Sequence, residues 1–411
     1  MILESISVGL IVGSCVSFIK SLSFNSSSLS LELMTIFEQM RIGVPIVAGD
    51  KEVWLLPTIN KEIVYPWGHR FLINLPVGKS SRDVIMAKQA LSEALRKDVD
   101  IKFDNGLILD IFNEKLPEMV TYHYVQRKDW KVPLGINQRH DVHYFDFDAP
   151  YPHFVDGGLS GSGKSCIIRI MLTSLIMNKH DDLQLYLADM KEGVEFMIFE
   201  HIECVRGFAT TLKELLQVAS TVEAIMLERL TTMRKNNMRK WNNDKCVLCI
   251  DEMSDLIETD HDPDKRLKQA IKAKLRAISA KGRAAGCWLI LSTQRPTVNS
   301  VPGDIRTNIS TAIAFRTRDE IQSRTILDAP DAAYLPDIPG RAIYQHGVKQ
   351  EIIQCFYLDD VDAEILLESA PRKEIAHAHN ESKSDPGIQQ PAINETAVKT
   401  KKMGKRPVVL K

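Results

Sequence analysis

Residues 158–165 read GLSGSGKS, between the strand-like HFV (153–155) and the apolar helical run SCIIRIMLTSLIMN (165–178). A strand, a glycine-rich turn and a helix in that order close backbone amides around phosphate oxygens and aim a helix N-terminus at the same anion. Gly158, Leu159, Ser160, Gly161, Ser162 and Gly163 form the expected cradle. Lys164 is placed to reach the β and γ phosphates, and Ser165 to hold Mg²⁺ through its hydroxyl. The loop implies a nucleoside triphosphate. It leaves open the work done with it, because many unrelated proteins carry such a loop.

Outward from the loop, short apolar runs alternate with helical ones, which predicts a mainly parallel sheet covered on both faces. The strand candidates are LQLYLADM (183–190), KCVLCIDEM (245–253), CWLILSTQ (287–294) and STAIAFRT (310–317). Helices are expected over 165–178, 211–235 and 264–282, and GRAIYQH (340–346) with KQEIIQCFYL (349–358) as an antiparallel edge. Before the loop, KEVWLLPTI, HRFLINLPVG, LILDIFN and MVTYHYVQ suggest strands and SRDVIMAKQALSEALRKD a helix, together a small α/β domain.

Two carboxylates close the strand CVLCIDEM, where an isolated buried charge is costly unless a cation pairs it. Asp251 is the candidate metal ligand, direct or outer-sphere, and Glu252 the candidate that orients and polarises the attacking water. Gln294 ends the next strand, at the edge where parallel sheets bind ligands, and can sense the γ phosphate. A cation over the developing charge, often supplied by a neighbouring subunit, could come from Arg283, Arg295, Arg316 or Arg324.

With 52 basic and 53 acidic side chains the net charge is −1, so any nucleic-acid site has to be a local patch. RLTTMRKNNMRKWNNDK (229–245) and RLKQAIKAKLRAISAKGR (266–283) are two such basic stretches, and Pro296–Asn308 is positioned as a pore-loop candidate. No interleaving of aromatic and basic residues typical of single-strand platforms is visible, which favours a duplex. The seven cysteines are scattered and odd in number, which suggests a reducing cytosol, and Cys246 and Cys249 look like part of a buried strand rather than half a zinc site.

Ser5–Ile19 carries no charge, and the first lysine follows it. Fifteen helical residues cover about 22 Å of a bilayer core about 30 Å thick, so flanking residues have to contribute to a span. The order of charge predicts a short anchor with the rest of the chain in the cytoplasm. The expected organisation is an anchor over 1–22, a linker and helix over 23–42, the small α/β domain over 43–134, the ATPase over 135–368 and a polar, basic tail over 369–411.

KGRAAGCWLILSTQRPTVNSVPGDIRTNISTAIAFRTRDEIQSRTILD (281–328) resembles the signature of the FtsK/SpoIIIE DNA translocases, as do PHFVDGGLSGSGKS (152–165) and LYLADMKEGVEF (185–196). The resemblance covers about residues 132–357. It implies a RecA-like P-loop motor that uses ATP and Mg²⁺ at subunit interfaces, assembles as a ring, usually a hexamer, and threads double-stranded DNA. By position it gives Lys164 and Ser165 the phosphate-loop roles, Asp251 and Glu252 the metal and water roles, and Gln294 the sensor role. Arg283 and Arg324 fall on the family's arginine positions near the subunit interface, without fixing which acts in trans.

Three departures stand out. Asp156 replaces an apolar residue before the loop, Asp189–Lys191 reads DMK where the family has DPK, and a polar tail follows the motor in place of a DNA-reading winged helix. Size, the N-terminal apolar segment and the small preceding domain are similar to FtsK-type proteins of conjugative elements. That likeness implies a motor at the bacterial cell membrane, facing the cytoplasm, that feeds DNA to a transfer channel with relaxase or channel proteins as partners. Plasmid or chromosome partitioning, a replication-linked pump and protein export are the competing uses.

Overall fold

The computed structural model describes residues 27–48, 51–191 and 193–373. The expected anchor over 1–22 and the tail beyond residue 373 lie outside the described residues, as does Cys15. Among the described residues no helix is long and apolar enough to cross a membrane.

An N-terminal lobe opens with helix α1 (Ser28–Gln39), whose first turn is capped by the Ser27 hydroxyl accepting from Ser30 N–H. A hairpin of β1 (Val44–Ala48) and β2 (Lys51–Leu55) follows. Next come β3 (Thr58–Tyr65), β4 (Gly68–Asn74), α2 (Ser81–Met86), α3 (Lys88–Leu95), β5 (Val99–Phe103) and β6 (Leu107–Phe112). β3 to β6 form an antiparallel sheet in the order β3-β4-β6-β5. Its core joins Phe71, Leu109 and Ile111 of the sheet to Leu33 and Phe37 of α1 and Leu91 of α3. Residues 27–42 therefore belong to this lobe, where the sequence suggested a separate linker and helix.

The larger sheet has 11 strands. Its elements are β7 (Val120–Thr121), β8 (Lys131–Asn137), β9 (Val142–Asp146), β10 (Phe154–Gly157), α4 (Lys164–Lys179), β11 (Leu183–Ala188), β12 (Val205–Ala209), α5 (Leu212–Lys235) and β13 (Lys245–Ile250). They continue with α6 (Lys265–Ala285), β14 (Cys287–Thr293), α7 (Gly303–Arg306), β15 (Thr311–Phe315), α8 (Glu320–Leu327), β16 (Arg341–His346), β17 (Lys349–Tyr357) and α9 (Asp360–Leu367). The order is β12-β11-β13-β14-β10-β15-β16-β17-β8-β9, with β7 beside β17. From β12 to β15 every pairing is parallel, and from β15 to β9 every pairing is antiparallel.

The parallel half follows the sequence pattern closely, because strands buried on both faces are continuous apolar runs. All of KCVLCI in β13 and CWLILST in β14 is buried, and the six described cysteines are free thiols, so the CVLC pair is core. The antiparallel half departs from expectation. β16 and β17 are interior strands, because β8 and β9 extend the sheet beyond them. The expected domain boundary at residue 134 thus falls inside β8, a strand of the large sheet. β8 is hard to see in sequence because Pro133 and Gly135 interrupt it at a register shift. Gly135 is required there: a Cβ would stand 2.2 Å from the Gln354 carbonyl oxygen of β17. At the other end the packed chain runs past residue 369, since Ala370 is buried and Ile202 bridges Arg372.

Candidate nucleotide site

β10 lies between β14 and β15, and β14 separates it from β13. Because these strands are parallel, Gly157, Ile250 and Thr293 all end at one edge, which brings the phosphate loop, Asp251–Glu252 and Gln294 together. This edge borders a cleft of about 620 Å³ lined by Lys164, Ser165, Lys191, Asp251 and Gln294.

The loop takes the left-handed conformations that its glycines permit: φ is +153° at Gly158, +76° at Gly161 and +119° at Gly163. A side chain at Gly163 would also press on Gly340, 3.1 Å from its backbone nitrogen. Lys164 is buried, and its Nζ donates to the carbonyls of Gly158 (2.9 Å) and Leu159 (2.6 Å). Burial presses its ammonium below the ordinary lysine range, against the pull of Asp156 and Glu252. The cation is thus held by neutral dipoles inside its own loop, a state that an anion in the cradle would improve.

Asp251 is 4% exposed, and burial lifts its carboxyl to about 6 despite an ion pair from Lys191 Nζ at 3.0 Å. Lys191 stands where a metal cation would neutralise that carboxylate. The DMK turn that carries it is well formed, since Asp189 accepts from the backbone N–H groups of Lys191 and Phe196 at 3.0 Å each. Glu252 is equally fixed. Its Oε1 accepts from Ser254 N–H (3.1 Å), Ser254 Oγ–H (2.6 Å) and Gln294 N–H (3.1 Å). The amide cradle, a buried cation at its floor and a buried carboxylate neutralised only by a lysine together fit a magnesium-bound triphosphate.

Asp156, the departure in β10, points into the core. It is fully buried, Ser292 Oγ–H donates to its Oδ1 at 2.7 Å, and burial pushes its carboxyl well above the usual range. The arginines are not gathered at this site. Arg324 is exposed on α8 and pairs with Glu320 at 3.3 Å, while Arg316 stands 3.6 Å from Asp337. Arg283 is exposed in the last turn of α6, just before β14 begins, at the edge of the sheet opposite the phosphate loop. Arg295 is exposed beyond Gln294.

Two contributors escaped the sequence reading. Lys191 was visible only as part of an atypical turn. The turn Asp337–Gly340 closes on the loop through Gly340 N–H to the Ser162 carbonyl at 2.8 Å, and its only sequence signal was the Pro339–Gly340 pair.

The FtsK/SpoIIIE family model matches residues 119–246. The DNA translocase FtsK of Chlorobaculum tepidum is 26% identical over 313 residues, covering 68% of this chain and 38% of that protein. The DNA translocase FtsK of Helicobacter pylori (strain J99) is 32% identical over 271 residues, 61% of this chain and 31% of that protein. The chain thus spans about a third of the length of these curated relatives. Among solved structures, the pCW3 conjugation coupling protein TcpA, in its monomer form with ATPγS, aligns over 83% of this chain and 99% of its own. Its TM-score is 0.59 at 21% identity, a likeness of fold. EssC ATPases 2 and 3 from Geobacillus thermodenitrificans align over 63% of this chain and 54% of their own, with a TM-score of 0.52 at 14% identity. Residues 119–246 thus resemble the FtsK/SpoIIIE family, the phosphate loop within them has the geometry of a nucleotide site, and the fold is shared with TcpA.

Proposed function

We propose that the protein hydrolyses ATP to move along double-stranded DNA. The observation that carries the chemistry is the position of Glu252, locked by Ser254 and by the Gln294 backbone beside Asp251, at the strand-end edge that borders the phosphate-loop cleft. A carboxylate held there can orient a water against the γ phosphate, and the Gln294 side chain at the end of the neighbouring strand can report whether that phosphate is present. With nucleotide bound, Lys164 would neutralise the β and γ oxygens, and Ser165 and Asp251 would hold a Mg²⁺ ion supplying the charge that Lys191 gives Asp251 here.

DNA as cargo rests on the FtsK relatives, which match across the ATPase region. The pattern of ion pairs bears on which basic residues are free to grip it. On α6 four basic side chains are held in ion pairs, Lys268 with Asp262, Lys272 with Glu258, Lys274 with Glu223 and Arg276 with Asp304. Arg266 and Lys281 of α6, and Arg234, Lys235 and Arg239 at and beyond the end of α5, are exposed and are the candidates for phosphate contact. None of Arg283, Arg295, Arg316 and Arg324 lines the cleft, which favours a ring, hexameric by family resemblance, in which a neighbour provides Arg283 or Arg324. Resemblance of fold to TcpA across both lobe and ATPase supports a role in conjugative transfer. In that role residues 1–22 hold the motor at the bacterial cell membrane and relaxase or channel proteins dock to it.

Displacement of a triplex-forming strand from a linear duplex by the full chain tests the proposal. ATP-dependent displacement, lost in Lys164→Ala, is the expected result. ATP turnover with no displacement on any duplex would transfer the motor to another cargo, such as an exported protein.

A further inference from the structure

The nucleotide cleft has a second end, built by chain that comes directly out of the N-terminal lobe. Asp251 and Gln294 lie on the β13 and β14 side of β10. On the other side the cleft runs past Cys166 and Arg169 of α4 to the ends of β17 and to Glu118 and Met119. A triphosphate with its terminal phosphate toward Asp251 has to extend its nucleoside in that direction.

Two side chains with large apolar surface stand uncovered at this end: Met119 is 66% exposed and Tyr357 46%. Their positions are fixed by the backbone. β7 pairs in parallel with β17, Val120 against Phe356 and Thr121 against Tyr357, which seats Met119 at the rim. Just upstream, Arg341 Nη2 donates to the carbonyls of Leu116 (3.0 Å) and Pro117 (2.9 Å). Arg341 is oriented in turn by Gln354 Oε1 at 2.9 Å, and Gln354 Nε2 donates to the Pro339 carbonyl at 2.8 Å. Pro339 precedes Gly340, which closes on the phosphate loop. One buried pair, Arg341 and Gln354, thus ties together the linker, the closing turn and the strand that walls the cleft. The same linker starts at β6, and Asn113 N–H donates to the Trp67 carbonyl of the lobe at 3.0 Å.

We infer that the interlobe linker is the base-contacting wall of the nucleotide cleft, with Met119 packing on the nucleobase, so that the N-terminal lobe is mechanically tied to whether a nucleoside is bound. The inference rests on the proposal that the cleft binds ATP. A thioether on a short, strand-anchored segment suits this contact, because sulfur packs well against an aromatic ring and its chain adapts to the face presented. Arg341 grips only backbone carbonyls of the linker, so any shift of Met119 on binding is passed to residues 113–117 rather than absorbed by side chains.

The test compares ATP with inorganic tripolyphosphate, which fills the phosphate loop and lacks a base. In the full chain Met119→Ala is expected to weaken ATP binding about tenfold, to leave tripolyphosphate binding unchanged, and to be rescued by Met119→Leu. Hydrogen exchange at residues 113–121 is expected to slow with ATP and not with tripolyphosphate. Unchanged ATP affinity in Met119→Ala, or equal losses for both ligands, would overturn the inference while leaving the ATP site intact. A parent chain that binds neither ligand would overturn the ATP reading itself, and this inference with it.

Discussion

Two buried clusters of charge in this molecule are built from the same residue types and behave in opposite ways. In the lobe, Asp110 accepts from Arg70 at 2.7 and 2.8 Å and from Arg139 at 2.9 Å. Arg139 continues to Asp100 at 2.5 Å and to Glu351 of β17 at 3.1 Å, with its guanidinium over Trp67 and Phe112. Burial opposes the charge on Asp100, yet Lys88 and Arg139 pull its carboxyl below the usual range. In the cleft, Lys164 has only loop carbonyls and Asp251 is lifted to about 6 despite Lys191. A satisfied network fixes the lobe on the ATPase sheet. An unsatisfied one is prepared for a ligand that supplies the missing charge.

The largest expected effect lies in the cleft. Glu252→Gln should retain nucleotide binding and lose about 10²–10³-fold in turnover, since it keeps the hydrogen bonds and removes the charge that polarises water. A variant that turns over like the parent would remove Glu252 from its role. The lobe cluster should answer in stability instead. Asp110→Ala leaves Arg70 without its carboxylate while Arg139 keeps Asp100 and Glu351, and should cost about 2–3 kcal/mol in urea unfolding, with ATP affinity unchanged in the protein that remains folded. A loss of affinity with no loss of stability would erase the distinction between the clusters.

His153 offers a third case, a buried group kept neutral. It accepts from Leu289 N–H at 3.2 Å, and burial lowers its pKa from 6.5 to about 4. An unfolded chain takes up a proton below about 6.5 while the folded one does not, so stability should fall as pH drops from about 6.5 to about 4. The loss is at most about 3 kcal/mol, and His153→Gln should flatten it. The smallest effect concerns Lys191. If it stands in for a metal cation, Lys191→Ala should change the Mg²⁺ concentration needed for half-maximal turnover by about tenfold at most. A change in maximal rate alone would make it a group that acts on substrate.

These contrasts also explain what could be read from sequence. β10, β13 and β14 were legible because buried parallel strands are unbroken apolar runs, and a glycine loop, an acid pair or a terminal Gln marks each strand end. Lys164, Ser165, Asp251, Glu252 and Gln294 meet because parallel strands deliver their C-terminal ends to one edge. β8 and β9 were not legible, since Pro133 and a bulge break the alternation and β17, which pairs with β8, lies more than two hundred residues away in sequence. Long-range pairing leaves no local pattern. For the same reason Met119 and Arg341 could not be placed at the cleft, and the Arg139 hub, drawn from β4, β5, β6, the turn after β8 and β17, leaves no mark in any window. Asp156 stood out in sequence only as a charge where an apolar residue is expected; that Ser292 partners it needed the pairing of β10 with β14.

ATP hydrolysis by the full chain with and without double-stranded DNA, beside Lys164→Ala, tests the central claim most directly. The account predicts turnover strongly stimulated by duplex of any sequence and abolished in Lys164→Ala. Turnover indifferent to duplex, or persisting in Lys164→Ala, would contradict it.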